Sequence, residues 1–262
     1  MLRRTLLTTA FLVVVICAVI SSSTAAFAKT PNGGTSATTT TGYDVSYPQC
    51  PSNFPSGGAF GIVGVNNGKA WSVNPCIAAE YAWAANRTPS SAPAFYMNTA
   101  NPGTLSTHWG APGPNTCANS SSTISVNDPG CAYNYGWNAA AYAFSLARKA
   151  APNAAAATWW ADVETANSWD GTTDANFADI QGGLDYLRSQ GVPTAGVYST
   201  SYQFGVIAGA NTPLPSAPSW VAGATNLRQA KGWCTPSYSF TGGTVKLVQF
   251  LSGGFDGDYA CP

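Results

Sequence analysis

Apolar positions along the chain fall into short blocks separated by Gly-, Pro- and Asn-rich stretches. Seven blocks read as strands: Tyr43–Ser46, Phe60–Val65, Ala94–Asn98, Trp159–Glu164, Ala195–Ser199, Ser219–Ala222 and Val245–Phe250. Apolar residues at three- and four-residue steps predict helices over Cys76–Asn86, Trp137–Ala150 and Asp174–Gln190, with a shorter one over Tyr202–Ala208. Residues 99–132 are rich in Pro, Gly, Asn and Ser. They are too many for an ordinary connection and read as a functional loop or a stapled excursion. Residues 253–259 read as a final loop. Strands alternating with helices predict parallel βα units, and helices thin out toward the carboxyl end. The expected fold is α/β: a single TIM-like (β/α) barrel with an irregular second half lacking some helices. An open doubly wound sheet is the runner-up, but no Gly-rich phosphate loop follows any strand.

Two segments precede the barrel. Arg3-Arg4, an apolar run from Leu6 to Ile20 and the small residues ending at Ala28 form the pattern of a secretory signal over residues 1–28. Residues 29–42 lack apolar periodicity and read as a flexible Thr/Gly-rich linker. The barrel domain then runs from 43 to 262. Cys17 lies in the signal, which leaves six cysteines. An even number in an exported chain implies disulfides, and six allow fifteen pairings. The nearest-neighbour set, Cys50–Cys76, Cys117–Cys131 and Cys234–Cys261, is the working expectation.

Charge narrows the function classes. Only 8% of residues are charged. Without Arg3 and Arg4, nine bases face eleven acids, so no basic patch exists to hold nucleic acid. No cysteine spacing resembles a zinc site and there is one histidine, so neither a metal nor a cofactor is expected. That histidine, His108, lies in an irregular loop without a nucleophile-elbow motif, so a Ser-His-Asp triad is disfavoured. Nine tryptophans and twelve tyrosines among many Asn, Ser and Thr suit neutral sugars.

The acids are few enough to place one by one. Glu80, Asp179 and Asp185 fall on predicted helices and read as solvated. Asp128, Asp170 and Asp174 fall in loops or at helix starts, where capping explains them. Asp44, Asp162, Glu164, Asp256 and Asp258 fall in the first, middle and last strand regions. Strand alternation puts Trp160, Asp162 and Glu164 on one face, and two acids on an apolar strand are costly unless used or satisfied. Closing a barrel makes its first and last strands neighbours. Asp44 and the Asp256/Asp258 pair would then face Asp162 and Glu164 across one mouth. Facing carboxylates are what glycoside hydrolysis requires: one protonates the leaving oxygen, and another stabilises the sugar cation or activates water.

Gly42-Tyr-Asp-Val-Ser46, the strand ending Asp162-Val-Glu164, Gly196-Val-Tyr-Ser199, Trp220-Val-Ala222 and Val248-Gln-Phe250 with Phe255-Asp-Gly-Asp-Tyr259 occur in the order of the family 25 glycoside hydrolases. The chain resembles these Chalaropsis-type lysozymes over about 43–260. The resemblance implies an eight-stranded barrel and N-acetylmuramidase activity on peptidoglycan. It assigns Glu164 as general acid, Asp162 as the neighbouring acid that orients and stabilises, and Asp44 and Asp256 as the acids of the opening and closing motifs. Asp258 stands where the family carries Asn. Tyr198 matches an aromatic of the family's cleft, and Trp160, Asn98, Gln249, Asp258 and Trp220 complete the candidate substrate contacts. The third strand ends Tyr96-Met-Asn98 where many members carry a histidine. The expectation is a secreted, monomeric hydrolase acting on a polysaccharide, with no membrane contact after signal cleavage. The alternatives are a non-catalytic glycan-binding module on the same barrel and a disulfide-stapled structural protein.

Overall fold

The computed structural model describes residues 40–87, 93–117, 125–210 and 213–262. The expected signal, residues 1–28, and residues 29–39 of the expected linker lie outside the described residues. The linker's end is corrected: Thr41 and Gly42 already belong to a strand, paired with Tyr259 and Asp258.

Eight strands close into a barrel in sequence order. They are β1 (Thr41–Val45), β2 (Gly61–Gly64), β3 (Ala94–Asn98), β4 (Thr158–Asp162), β5 (Thr194–Ser199), β6 (Ser219–Ala224), β7 (Val245–Ser252) and β8 (Phe255–Ala260). The first seven pair in parallel, and β8 runs antiparallel to both β7 and β1. β8 replaces the expected final loop. Its turn, Gly253-Gly254, has φ of 61° and 89°, which a two-residue hairpin of this hand requires and glycine supplies without strain.

Among the described residues five α-helices accompany the strands: α1 (Ile77–Ala85), α2 (Pro129–Ala150), α3 (Thr173–Ser189), α4 (Ser201–Ala208) and α5 (Leu227–Gly232). α2 starts eight residues before the expected Trp137 because Pro129 opens it and the Asp128 carboxylate accepts from Cys131 N at 2.8 Å. α5 was not expected; Asn226 caps it through Gln229 N. The three disulfides join Cys50–Cys76, Cys117–Cys131 and Cys234–Cys261. Among the described residues no helix is long and apolar enough to cross a membrane.

The alternation on β4 sets both cores. Trp159 points outward and packs between Phe95 and Phe144 under α2. Trp160 points inward, where Ile62, Trp220 and Leu247 fill the barrel axis. The indole lies over Gly196, where a Cβ would come within 2.4 Å of Cζ3, so this layer needs a glycine. α2 and α3 also cross at glycines: a Cβ on Gly136 would meet Asp179 O at 2.0 Å. That close crossing buries Asp179, and Glu80 is buried under α1. Both overturn the expectation of solvated acids, which holds only for Asp185, paired with Arg188 at 2.8 Å on the surface.

Candidate active site

The inward face of the barrel turns acidic at its carboxyl-terminal rim, the end where barrel enzymes keep their chemistry. Asp44, Tyr96, Asp162, Glu164, Tyr198, Trp220, Gln249 and Asp256 line one cavity of about 150 Å³. Each arrives by strand geometry. Asp44 lies near the end of β1, opposite Asp256 on β8 in the antiparallel register. Asp162 ends β4 opposite Asn98 and Tyr198 on its flanking strands. β4 stops at Asp162, so Glu164 stands on the following loop rather than on the strand, half-buried at the cavity wall.

Two groups of carboxylates face one another. In the first, Asp162 is 4% exposed and accepts a short hydrogen bond from Asn98 Nδ2. Burial holds the Asp162 carboxyl well above its usual range, and the charge of the adjacent Glu164 adds to this by repulsion. The Asn98 bond works in the opposite direction. The backbone carbonyl of Asp162 is held by Thr99 Oγ1 at 2.6 Å and by Asn167 Nδ2 at 3.3 Å, which fixes the strand end.

In the second group, burial lifts Asp44 to about 7, with help from the Asp256 charge. Gln249 Nε2, donating at 3.0 Å, and Asp258 pull it back down. Asp258 is itself held well above its ordinary range, by burial first and then by Asp44. Its Oδ1 accepts from Trp220 Nε1 at 2.8 Å. Burial also raises Asp256. The chain continues from Gln249 Oε1 to Tyr198 Oη at 2.8 Å, so one amide spans the acid and the phenol. Trp220 packs edge-on against Tyr198, 4.6 Å between ring centroids.

The candidate residues thus fall into two layers. Asp44, Asp162, Glu164, Asp256, Tyr198, Trp220 and Gln249 share the cavity wall. Asn98 stands behind Asp162, Asp258 is fully buried below Asp44, and Trp160 lies deeper among the barrel's apolar side chains. Tyr96 was not anticipated, although its place two residues before Asn98 on β3 puts it on the same inward face. His108 is exposed and stacks on Trp71 at 3.7 Å, away from the acids. Among the described residues no cluster of His, Cys, Asp or Glu is arranged to hold a metal ion.

Fold and site define a class: a closed (β/α) barrel with a carboxylate-lined pocket at the carboxyl ends of its strands. No protein-family model matches the sequence, and no curated protein matches it. Solved structures do match. A bacterial lysozyme from Streptomyces coelicolor superimposes with a TM-score of 0.55 at 16% identity, over 85% of this chain and 92% of that one. A family GH25 lysozyme from Aspergillus fumigatus gives 0.54 at 11% identity, over 85% and 94%. A muramidase from Trichobolus zukalii gives 0.52 at 16%, over 84% and 92%. The chain has the barrel fold of the family 25 lysozymes.

Proposed function

We propose that the protein is an exported glycoside hydrolase that cleaves β-1,4 bonds of peptidoglycan in the manner of an N-acetylmuramidase. The observation that carries this reading is the convergence of Asp44, Asp162, Glu164 and Asp256 on one small cavity. The similar solved structures are called lysozymes or muramidases; extending that activity to this chain is part of the proposal. Three disulfides and the amino-terminal pattern support export. The partner is a polysaccharide, and all the acids come from one chain, so a monomer suffices.

The chemistry divides between the two acid groups. Burial favours the protonated form of Asp162, and the neighbouring Glu164 is the more open of the two. The proton reaches the leaving oxygen through Glu164, with Asp162 as its reservoir and Asn98 as the clamp on that reservoir. Asp44 and Asp256 face the developing positive charge of the sugar carbon. Gln249 keeps Asp44 ionisable near neutral pH and aims the Tyr198 hydroxyl at the same space. Trp220 and Asp258 hold this set from below. Trp160 supports Trp220 within the barrel.

The test is release of reducing sugar, and loss of turbidity, from purified bacterial walls. Glu164→Gln should lower the rate by about 10²–10⁴-fold with an unchanged circular dichroism spectrum. An undiminished rate would discard the assignment. Wild-type protein that is retained on walls yet releases no soluble product would select the non-catalytic binding module instead.

A further inference from the structure

A second, larger hollow of about 630 Å³ opens on the same rim. It lies among the loops after β2, β3 and β4, and its walls include Lys69, Ser72, Leu105, Ser106, Thr107 and Asn167. It adjoins the acids through two short links. Asn167 Nδ2 reaches the backbone carbonyl of Asp162 at 3.3 Å. Asn66 joins Ser72 O at 3.0 Å to the backbone N–H of Asn98, the residue whose side chain holds Asp162. Whatever occupies this hollow sits beside the residues that position the proposed proton donor.

The chemistry of the walls selects among occupants. A sugar ring is bound most strongly on an open aromatic face. Both rings here are already covered: His108 lies flat on Trp71 at 3.7 Å, Tyr142 stacks on it at 5.3 Å, and Tyr135 is 3% exposed. Trp71 is moreover fixed with φ of 63°, a left-handed conformation that a bulky residue adopts only when its surroundings impose it. The stack is therefore a wall and not a free platform. The rest of the wall is the exposed hydroxyls of Thr107 and Ser168, the Asn167 amide, the apolar side chain of Leu105, 84% exposed, and, among the described residues, one cation, Lys69. Among the described residues no carboxylate lines the hollow. Amide-bonding groups, a small apolar contact and a lone ammonium match a short peptide with methyl side chains and a free carboxylate.

The geometry points to this hollow as a seat for the carboxylate-bearing stem peptide that hangs from the wall glycan, with Lys69 as the counter-ion of its carboxylate. The inference rests on the muramidase reading and adds to it a preference for peptide-substituted strands. Such a peptide would anchor the strand next to the acids, so its binding would be expressed in kcat/KM.

Solubilised glycan strands are compared with the same strands stripped of their stem peptides by an amidase. Wild-type protein should cleave the substituted strands about tenfold faster in kcat/KM. Lys69→Glu should abolish that preference while leaving cleavage of stripped strands unchanged, and Lys69→Arg should retain it. Equal rates of the wild type on both substrates, or a preference that survives Lys69→Glu, would overturn the inference. If neither substrate is cleaved, the muramidase reading fails, and calorimetric titration with the free stem peptide decides this one. Binding lost in Lys69→Glu upholds it, and no binding to the wild type ends it.

Discussion

Glu80→Gln separates charge from shape at a buried site. Glu80 lies on α1 with 0% exposure; its Oε2 accepts from Asn74 Nδ2 at 2.7 Å, and among the described residues no cation pairs with it. The same Asn74 amide donates to Gly64 O at the end of β2, and Asn74 Oδ1 receives Cys76 N, so the group ties the strand to the helix that follows. Burial raises Glu80 from 4.5 to about 7. The folded state therefore holds this proton more tightly than the unfolded chain, and stability falls as pH rises from 4.5 through 7. At about 1.4 kcal/mol per pKa unit, the loss is on the order of 3 kcal/mol once pH exceeds 7, and under about 1 kcal/mol at pH 5. Glutamine keeps an acceptor for Asn74 and cannot ionise. Its new amide protons cost about 1–3 kcal/mol at every pH if they find no partner. That cost cancels when the variant is compared with wild type at two pH values. Urea unfolding at pH 5 and pH 8, with disulfides intact, should show the difference moving in favour of Glu80→Gln by about 2–3 kcal/mol. A difference that stays constant between the two pH values would refute the buried, protonated carboxyl.

Gln249→Leu removes a bond that lowers the Asp44 pKa, so Asp44 should rise above about 7 and the acid limb of the pH–rate profile should move to higher pH; a limb that does not move would show that Asp44 is not the group that sets it. Gly64→Ala places a Cβ 2.6 Å from both Tyr96 Cζ and Ser46 Cβ, which should cost about 1–3 kcal/mol in thermal unfolding and push the Tyr96 ring into the cavity. Wall hydrolysis by that variant should fall at least about tenfold at a temperature where circular dichroism shows it folded, and an unchanged rate would mean that Tyr96 does not border the substrate.

Strands with a clear run of apolar residues were legible in the sequence because burial on both faces leaves few alternatives, as in Phe60–Val65 and Ala195–Ser199. β8 was not, because Phe255-Asp-Gly-Asp-Tyr259 reads as a polar turn. Its acids are tolerated only where closure puts them against Asp44 and Trp220. One local signal was present: Gly253-Gly254 between two candidate strands is a hairpin dipeptide. The start of α2 was hidden by the Gly- and Asn-rich composition of 99–132, although Asp128-Pro129 carries the capping pattern. Glu80 and Asp179 were misread for a different reason. An isolated acid at helical spacing is ordinarily solvated, and only the packing of α1 and the glycine crossing of α2 with α3 buries these two. The meeting of the acids at one mouth was legible because acids on sparsely charged strands stand out, and period-two alternation gives the direction of Asp44 and Asp162, though not of Glu164, which lies past the end of β4.

Closure and site formation are one event in this chain. In an all-parallel barrel the last strand would present its own carboxyl end at the rim. Here β8 returns from the β7 hairpin and runs downward, so the rim receives the start of the strand instead. That reversal sets Asp256 beside Asp44 at the mouth and, two residues further down, buries Asp258 beneath them. A parallel strand of the same sequence would place Asp258 outermost and Asp256 below it. The order of the two acids along β8 therefore has chemical content. The upper one stands half-buried at the cavity wall, and the lower one, held well above its usual range by burial, satisfies the Trp220 indole.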